Sequence, residues 1–218
     1  MRSGRRAAPD PVYDGYAGSS LDDSGEITRT ARVERATGET KTLVELALDG
    51  SGIVDVETGV GFFDHMLHQL GRHAGFDLTV HTVGDLRIDA HHSVQETAVA
   101  LGEAFRDALA GTVNMRRFGS ALVPVDEALV QVALDVAGRP YLVHTEPAVM
   151  ECVVMGGNFP GTLVRHVWES FVRHAQVALH VNVQAGRDTH HIAQAQFCAV
   201  GRALRDAVRV ERLAQPAT

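Results

Sequence analysis

The alternation of apolar and polar positions divides the chain into short strands and amphipathic helices. Residues 32–36 and 42–48 alternate with a period of two, which indicates strands with one buried face. A Gly-rich turn then leads into a third predicted strand at 53–57, and we interpret this pattern as a hairpin. Helical spacing follows at 62–73, and a further strand is predicted at 76–81.

The second half of the chain repeats this order of elements. Residues 64–80 align with 165–181, and the segment HHSVQETAVALGEAFRDAL, from 91, aligns with HHIAQAQFCAVGRALRDAV, from 190. Each repeat therefore predicts a helix, a strand, a double histidine and a second helix. Three more strands are predicted between the repeats, at 121–125, 128–136 and 141–145.

These elements predict an internally duplicated α+β fold. Each half is expected to be a small antiparallel sheet with helices on one face, and the halves are expected to pack helix side to helix side. The repeats span about 31–112 and 113–218. Residues 1–30 are rich in Gly, Pro, Ser and Asp without apolar periodicity, so we expect a disordered extension there.

Composition excludes several classes of function. The net charge of −7, without a basic block, argues against a nucleic-acid surface. No apolar run reaches the 18 or so residues of a membrane span. The two cysteines, Cys152 and Cys198, cannot form a disulfide framework, so a reducing cytoplasm is the expected compartment.

Histidine is the unusual component, with twelve in the chain. Imidazole is a common ligand for divalent transition metals. Adjacent helical residues diverge by roughly 100°, so a double histidine serves two ions more easily than one. A ligand four residues after the first histidine shares its face. The duplicated set therefore predicts two sites of three histidines each: His65, His91, His92, His166, His190 and His191. We interpret His73 and His174 as structural.

Several motifs then resemble one known family, the imidazoleglycerol-phosphate dehydratases of histidine biosynthesis. They run in family order over nearly the whole chain from about residue 31. The matching stretches are RATGET (35–40), GVGFFDHMLHQLGRHAGFDL (59–78), GDLRIDAHH (84–92), RRFG (116–119), PVDEAL (124–129), DVAGRP (135–140), RHVWESF (165–171) and GRDTHHI (186–192).

The resemblance implies a helical layer between two four-stranded sheets, and assembly into trimers and then a 24-subunit shell with sites at subunit boundaries. It implies two Mn²⁺ ions per site, and dehydration of imidazole glycerol phosphate to imidazole acetol phosphate. The six histidines fall on metal-ligand positions. Glu39 falls on an acid/base glutamate that reaches in from a neighbouring subunit. Arg117 and Arg139 fall on residues that hold the substrate and its phosphate.

The chain departs from the family pattern four residues after the first histidine of each pair. The family reads His-His-x-x-Glu in both repeats, with both glutamates ligating metal, whereas this chain has Gln95 and Gln194. Cys198 replaces a phosphate-binding lysine, and the usual C-terminal Ser-Thr-Lys-Gly element is missing. An amide is a weaker metal ligand than a carboxylate, so we expect altered affinity or ion preference, with Gln95 and Gln194 as candidate ligands.

Three functions remain open at this point. The first is imidazoleglycerol-phosphate dehydratase activity with glutamine ligands, in a homo-oligomer that acts on a small molecule. The second is a diverged paralogue that acts on a different imidazole-like substrate in specialised metabolism. The third is a catalytically inactive metal-binding or assembly protein.

Overall fold

The computed structural model describes residues 28–211, and before them only the pairing of short strands. These strands are β1 (Tyr16–Ala17), β2 (Ser20–Leu21) and β3 (Ile27–Thr28). β1 pairs with the strand that begins at Thr30, and β2 pairs with β3. The predicted disordered extension, residues 1–30, lies mostly outside the described residues.

The first half forms a sheet in the order β1-β4-β5-β7-β6. Alternating burial along β5, with Thr40, Thr42, Val44 and Leu46 inward, follows the predicted period of two. The elements of this half are β4 (Thr30–Ala36), β5 (Thr40–Ala47), β6 (Val54–Glu57), α1 (Gly61–Ala74), β7 (Asp77–Gly84) and α2 (His91–Ala108).

The second half repeats the arrangement in a sheet of order β10-β13-β9-β8. A short 3₁₀ helix and a two-stranded ribbon, which were not predicted, precede its first helix. The elements are β8 (Phe118–Val125), β9 (Ala128–Asp135), β10 (Tyr141–Thr145), the 3₁₀ helix Ala148–Cys152, β11 (Val154–Met155), β12 (Phe159–Pro160), α3 (Thr162–Ala175), β13 (Ala178–Ala185) and α4 (Thr189–Ala207).

The duplicated α+β architecture is confirmed, but each sheet is mixed. β6 runs parallel to β7, and β10 runs parallel to β13. A helix connects each of these pairs, and such a crossover brings two strands into parallel alignment. The predicted hairpin of 42–48 with 53–57 is therefore wrong, because β7 lies between β5 and β6. Asp77 Oδ1 accepts the N–H groups of Ser51 (2.8 Å) and Ile53 (2.9 Å), which holds the connecting loop beside β7.

The four helices form the layer between the sheets, and each packs on a helix of the other repeat. α2 packs on α3 and α1 packs on α4. A glycine permits close approach at each contact: a Cβ at Gly102 would lie 2.7 Å from the Phe171 carbonyl oxygen, and one at Gly201 would lie 2.6 Å from that of Leu70. Within the described residues, no helix has the length and apolar character to cross a bilayer.

The substitution Gly201→Ala tests this helix contact. An added methyl would meet the backbone of α1, which cannot rotate away as a side chain can. Overpacking costs about 1–3 kcal/mol and the better helix propensity of Ala returns about 1 kcal/mol, so we expect a net loss of up to about 2 kcal/mol in the free energy of unfolding. Urea denaturation measures it.

The matched control is Gly61→Ala, at the start of α1, where nothing lies within 4 Å of an added Cβ. We expect this variant to be as stable as the wild type or slightly more stable. Equal stability of the two variants would show that the glycine does not set the spacing of α1 and α4.

Candidate metal centre and active site

The two double histidines open α2 and α4 in the same way. The side chain of Asp89 accepts the backbone N–H of His91, and Asp188 accepts that of His190, both at 2.8 Å. Asp188 is the N-cap of α4, whereas Asp89 lies one residue before Ala90, the N-cap of α2. The sequence Asp-x-His-His therefore determines where the first histidine of each pair lies.

The helix contacts bring the histidines of opposite repeats together. The His91 ring lies 4.5 Å from that of His166 on α3, and the His190 ring lies 5.7 Å from that of His65 on α1, between centroids. His92 and His191 lie beside them, with centroids 5.8 Å and 6.1 Å from their neighbours. Two clusters of three result, and each contains residues of both repeats.

His166 carries the clearest sign of a missing partner. Its Nε2 is buried and has no hydrogen-bond partner among the described residues, while its Nδ1 lies 3.8 Å from Glu169 Oε2. Burial is the main cause that lowers the pKa of His166, and likewise that of His65, so both rings favour the neutral form that binds metals. In the part of the chain that the structure describes, no three ligating side chains converge as a complete metal-binding group.

Glu39 contacts a histidine of its own chain. Its Oε2 lies 3.1 Å from His92 Nδ1. The hairpin of β4 and β5 packs on α2, and this contact places the β4–β5 turn at the start of that helix. The resemblance placed Glu39 on a neighbouring subunit's site, whereas here it reaches the first cluster within one chain.

The second repeat has a matching carboxylate that the sequence analysis did not single out. Glu127, in the β8–β9 turn, has Oε2 2.8 Å from His191 Nδ1, and its Oε1 accepts the N–H groups of Asp188 (2.7 Å) and Arg187 (3.1 Å). These bonds lower the pKa of Glu127 to about 2, and the hydrogen bond from the Asp188 N–H makes the largest contribution. Glu127 immediately precedes β9, the strand equivalent to β5, just as Glu39 immediately precedes β5. This matching position was the signal that could have identified it.

The two glutamines occupy half-buried positions in the first turns of their helices. The side chains of Gln95 and Gln194 make no hydrogen bond to any of the residues 28–211. Gln95 and His166 line one cavity of about 470 Å³, which extends to Pro140, the residue after Arg139. Glu96 does not substitute for Gln95, because its Oε2 is 3.0 Å from Arg35 Nε.

Arg117 and Arg139 lie together around one carboxylate. Arg117 donates from Nε to Asp135 Oδ1 (2.7 Å) and from Nη2 to Oδ2 (3.1 Å), and the pKa of Asp135 falls mainly because of this bond, with a smaller contribution from the charge of Arg139. The backbone of Arg117 has a φ of 71°, in the left-handed region that residues other than Gly and Asn rarely adopt. Such strain is common at functional positions.

Cys198 lies inside the helix layer. Its Sγ is 3.7 Å from Gln69 Oε1, and burial raises the pKa of the thiol to about 11. Cys198 therefore brings no charge to the place where the resemblance expects a lysine ammonium. The other cysteine, Cys152, is exposed, and neither is in a disulfide.

The fold and these clusters define a class of enzyme: a duplicated α+β protein with paired histidine sites between its repeats. A family model described as imidazoleglycerol-phosphate dehydratase matches residues 58–204. The chain belongs to the imidazoleglycerol-phosphate dehydratase family.

Relatives and solved structures agree with this assignment. An imidazoleglycerol-phosphate dehydratase of Acidothermus cellulolyticus is 60% identical over 186 residues, covering 85% of this chain and 89% of the relative. One of Salinispora tropica is 58% identical over 191 residues, covering 85% and 93%. The crystal structure of the Staphylococcus aureus enzyme has a TM-score of 0.74 at 28% identity, covering 84% and 99%, and that of Pyrococcus furiosus has 0.66 at 30%, covering 83% and 97%.

The thiols offer a test of the packing around α4. Because Cys198 is buried with a raised pKa, we expect only Cys152 to react rapidly with Ellman's reagent in the native protein at pH 8, and both thiols to react in denaturant. Cys152→Ser should leave no rapidly reacting thiol. Rapid labelling of that variant would show that α4 does not pack as described.

Proposed function

We propose that this protein is a hydro-lyase of histidine biosynthesis, which dehydrates imidazole glycerol phosphate to imidazole acetol phosphate. In this reaction a C–H and a C–O bond of the glycerol chain break, water leaves, and the resulting enol becomes a ketone. The observation that carries the proposal is the pairing of His91 with His166 and of His65 with His190 across the helix layer. Family membership supports the same reaction.

The donor set fits two divalent ions, which we propose to be Mn²⁺. The two members of each double histidine would serve different ions, because their side chains diverge along the helix, and the amide oxygens of Gln95 and Gln194 are further candidate ligands. The proposed histidine ligands are His65, His91, His92, His166, His190 and His191. The buried, unpartnered Nε2 of His166 supports this assignment, because a buried polar atom without a partner is otherwise costly. Bound ions would supply the positive charge that draws electrons from the imidazole ring of the substrate.

Glu39 is the proposed acid/base group. Its carboxylate is half exposed and therefore within reach of a bound substrate, and its contact with His92 Nδ1 keeps it at the cluster. As a base it would accept a proton from the substrate carbon chain, and as an acid it would donate one to the departing hydroxyl. A carboxylate in contact with Nδ1 also directs Nε2 of the same ring towards a ligand position.

Arg117 and Arg139 are the proposed phosphate-binding residues. The guanidinium of Arg117 already forms two hydrogen bonds to the carboxylate of Asp135, and two oxygens of a phosphate can accept the same pair of bonds with more negative charge. Arg139, which makes no hydrogen bond to any described residue, supplies a second fork beside it. A phosphate group would therefore compete with Asp135 for Arg117.

We further propose self-association, to trimers and then to a 24-subunit shell with sites shared at subunit boundaries. Each histidine cluster lacks a complete ligand group within the described residues of one chain, which supports completion by a neighbouring chain. The two unpaired cysteines are consistent with the expected cytoplasmic compartment.

The first test is turnover of imidazole glycerol phosphate by the Mn²⁺-loaded protein. At saturating Mn²⁺, we expect Glu39→Gln to lower kcat by about 10²–10⁴-fold, the usual contribution of a general acid or base, while the protein stays metal-loaded. Coupled detection of the ketone product and metal analysis measure the two quantities.

The control for this experiment is Glu45→Gln, a neutralised carboxylate further along β5 that pairs with Arg32. Its kcat should equal that of the wild type. No turnover by the wild-type, Mn²⁺-loaded protein would refute the proposed reaction and favour a different imidazole-like substrate.

The role of the glutamines is tested by Gln95→Glu. A carboxylate is a better ligand for Mn²⁺ than an amide, so we expect Mn²⁺ affinity, measured by titration calorimetry, to rise about tenfold or more. Gln184→Glu, an exposed residue of β13 that contacts Gln131, adds the same charge elsewhere and should leave the affinity unchanged. An unchanged affinity in Gln95→Glu as well would remove Gln95 from the ligand set.

A further inference from the structure

A second cavity lies at the opposite ends of α1 and α4 from the histidine clusters. Its volume is about 520 Å³, and its walls are almost entirely cationic. On α1, His73 lies eight residues beyond His65, which corresponds to roughly 12 Å along a helix. The cavity is lined by Arg72, His73, Arg202, Arg205, Asp206 and Arg209.

The positive charge of this arginine cavity is not neutralised within it. The one carboxylate, that of Asp206, accepts a hydrogen bond from Arg116 at 2.6 Å and lies 4.0 Å from Arg209, which also lies 3.6 Å from Glu211. Arg72, Arg202 and Arg205 form no ion pair with any carboxylate of residues 28–211. Three guanidinium groups therefore face one space in a chain whose net charge is −7.

In the equivalent cluster of the other repeat, a carboxylate neutralises the positive charge. At the equivalent ends of α2 and α3, Glu103 lies 3.0 Å from Arg35 Nη1 and 3.3 Å from His174 Nδ1. His73 corresponds to His174 in the repeat alignment, but Arg202 occupies the position of Glu103. One carboxylate has been exchanged for a guanidinium at the centre of an otherwise similar cluster.

The presence of Arg202 affects the hydrogen bonding and the pKa of His73. Arg202 Nε donates to His73 Nδ1 at 3.5 Å, so that nitrogen acts as an acceptor. Burial, followed by the charges of Arg202 and Arg72, lowers the pKa of His73. Burial and two neighbouring cations without a carboxylate partner among residues 28–211 therefore favour the neutral ring.

Helix electrostatics explain part of this arrangement. Cations are stabilising beside the last turn of a helix, and α1 and α4 both end here. The α2–α3 end, however, has the same helix geometry with Glu103 in the centre. The helix termini therefore do not require Arg202, and they do not account for a cavity of this volume.

We propose that the arginine cavity binds a phosphate-bearing small anion, at a site separate from the histidine clusters. Guanidinium groups bind phosphate oxygens through paired, charge-assisted hydrogen bonds, and three unpaired groups around one space suit a multiply charged anion better than a single carboxylate. Binding would place a counterion beside Arg72, Arg202 and Arg205. Since the site is distant from Glu39, it would serve regulation or stabilisation rather than the reaction itself.

The experiment is calorimetric titration of the full-length, metal-free protein with pyrophosphate. Arg202→Glu makes this cluster resemble the α2–α3 end, and we expect it to weaken the binding by about tenfold or more, because charge-assisted bonds are lost and repulsion is gained. Arg106→Ala is the matched control, since Arg106 corresponds to Arg205 in the other repeat and pairs with Asp107 outside the cavity. It should leave binding unchanged.

The variant Arg117→Ala distinguishes pyrophosphate binding in the arginine cavity from binding at the proposed substrate-binding arginines. We expect Arg117→Ala to keep the wild-type pyrophosphate affinity, which Arg202→Glu should lose. Arg205→Ala provides a second, milder variant if Arg202→Glu proves unstable in thermal unfolding, and it should weaken binding as well. Equal pyrophosphate affinity in the wild type, Arg202→Glu and Arg205→Ala would overturn the proposal, as would binding that only Arg117→Ala abolishes.

Discussion

The close packing of helices from opposite repeats is the constraint on which the rest of the structure depends. Gly102 and Gly201 allow α2 to approach α3 and α1 to approach α4 at backbone contact distance. Each contact sets the spacing of the histidines at the other end of its helices. His91 meets His166, and His190 meets His65, only because the helix axes are this close. The site chemistry is thus a consequence of how the repeats pack.

The duplication and most element positions could be predicted from the sequence, because both depend on local pattern. The helices that begin at His91 and Thr189 and the strands β8, β9 and β10 lie close to the predicted bounds. Strand partners could not be predicted in the same way. Periodicity shows which face of a strand is buried, but not that a crossover through α1 places β7 between β5 and β6.

The convergence of the histidines could be anticipated, whereas the carboxylates around them could not. Glu39 was identified only through the family resemblance, and Glu127 was quoted within a motif without a role. Both depend on a hairpin turn that reaches the start of a helix far along the chain, 64 residues away for Glu127 and His191. No local pattern encodes such a distance. The equivalent places of the β4–β5 and β8–β9 hairpins in the two sheets link these carboxylates, and that equivalence follows from the strand order of the structure.

These carboxylates change how the glutamines should be understood. Taken alone, Gln95 and Gln194 make each cluster a neutral set of imidazoles and an amide, which is a poor electrostatic match for a divalent cation. Glu39 lies 3.1 Å from Nδ1 of His92, and Glu127 is hydrogen-bonded to Nδ1 of His191, so negative charge remains directly behind each of these imidazoles. A carboxylate in that position makes the imidazole more basic at Nε2 and fixes its orientation. The charge of the site is therefore shifted from the helices to the hairpin turns, and the two turns differ in one respect. The carboxylate of Glu127 accepts the N–H groups of residues 187 and 188, whereas that of Glu39 accepts no backbone N–H from residues 28–211, which suits the proton transfer that we propose for it.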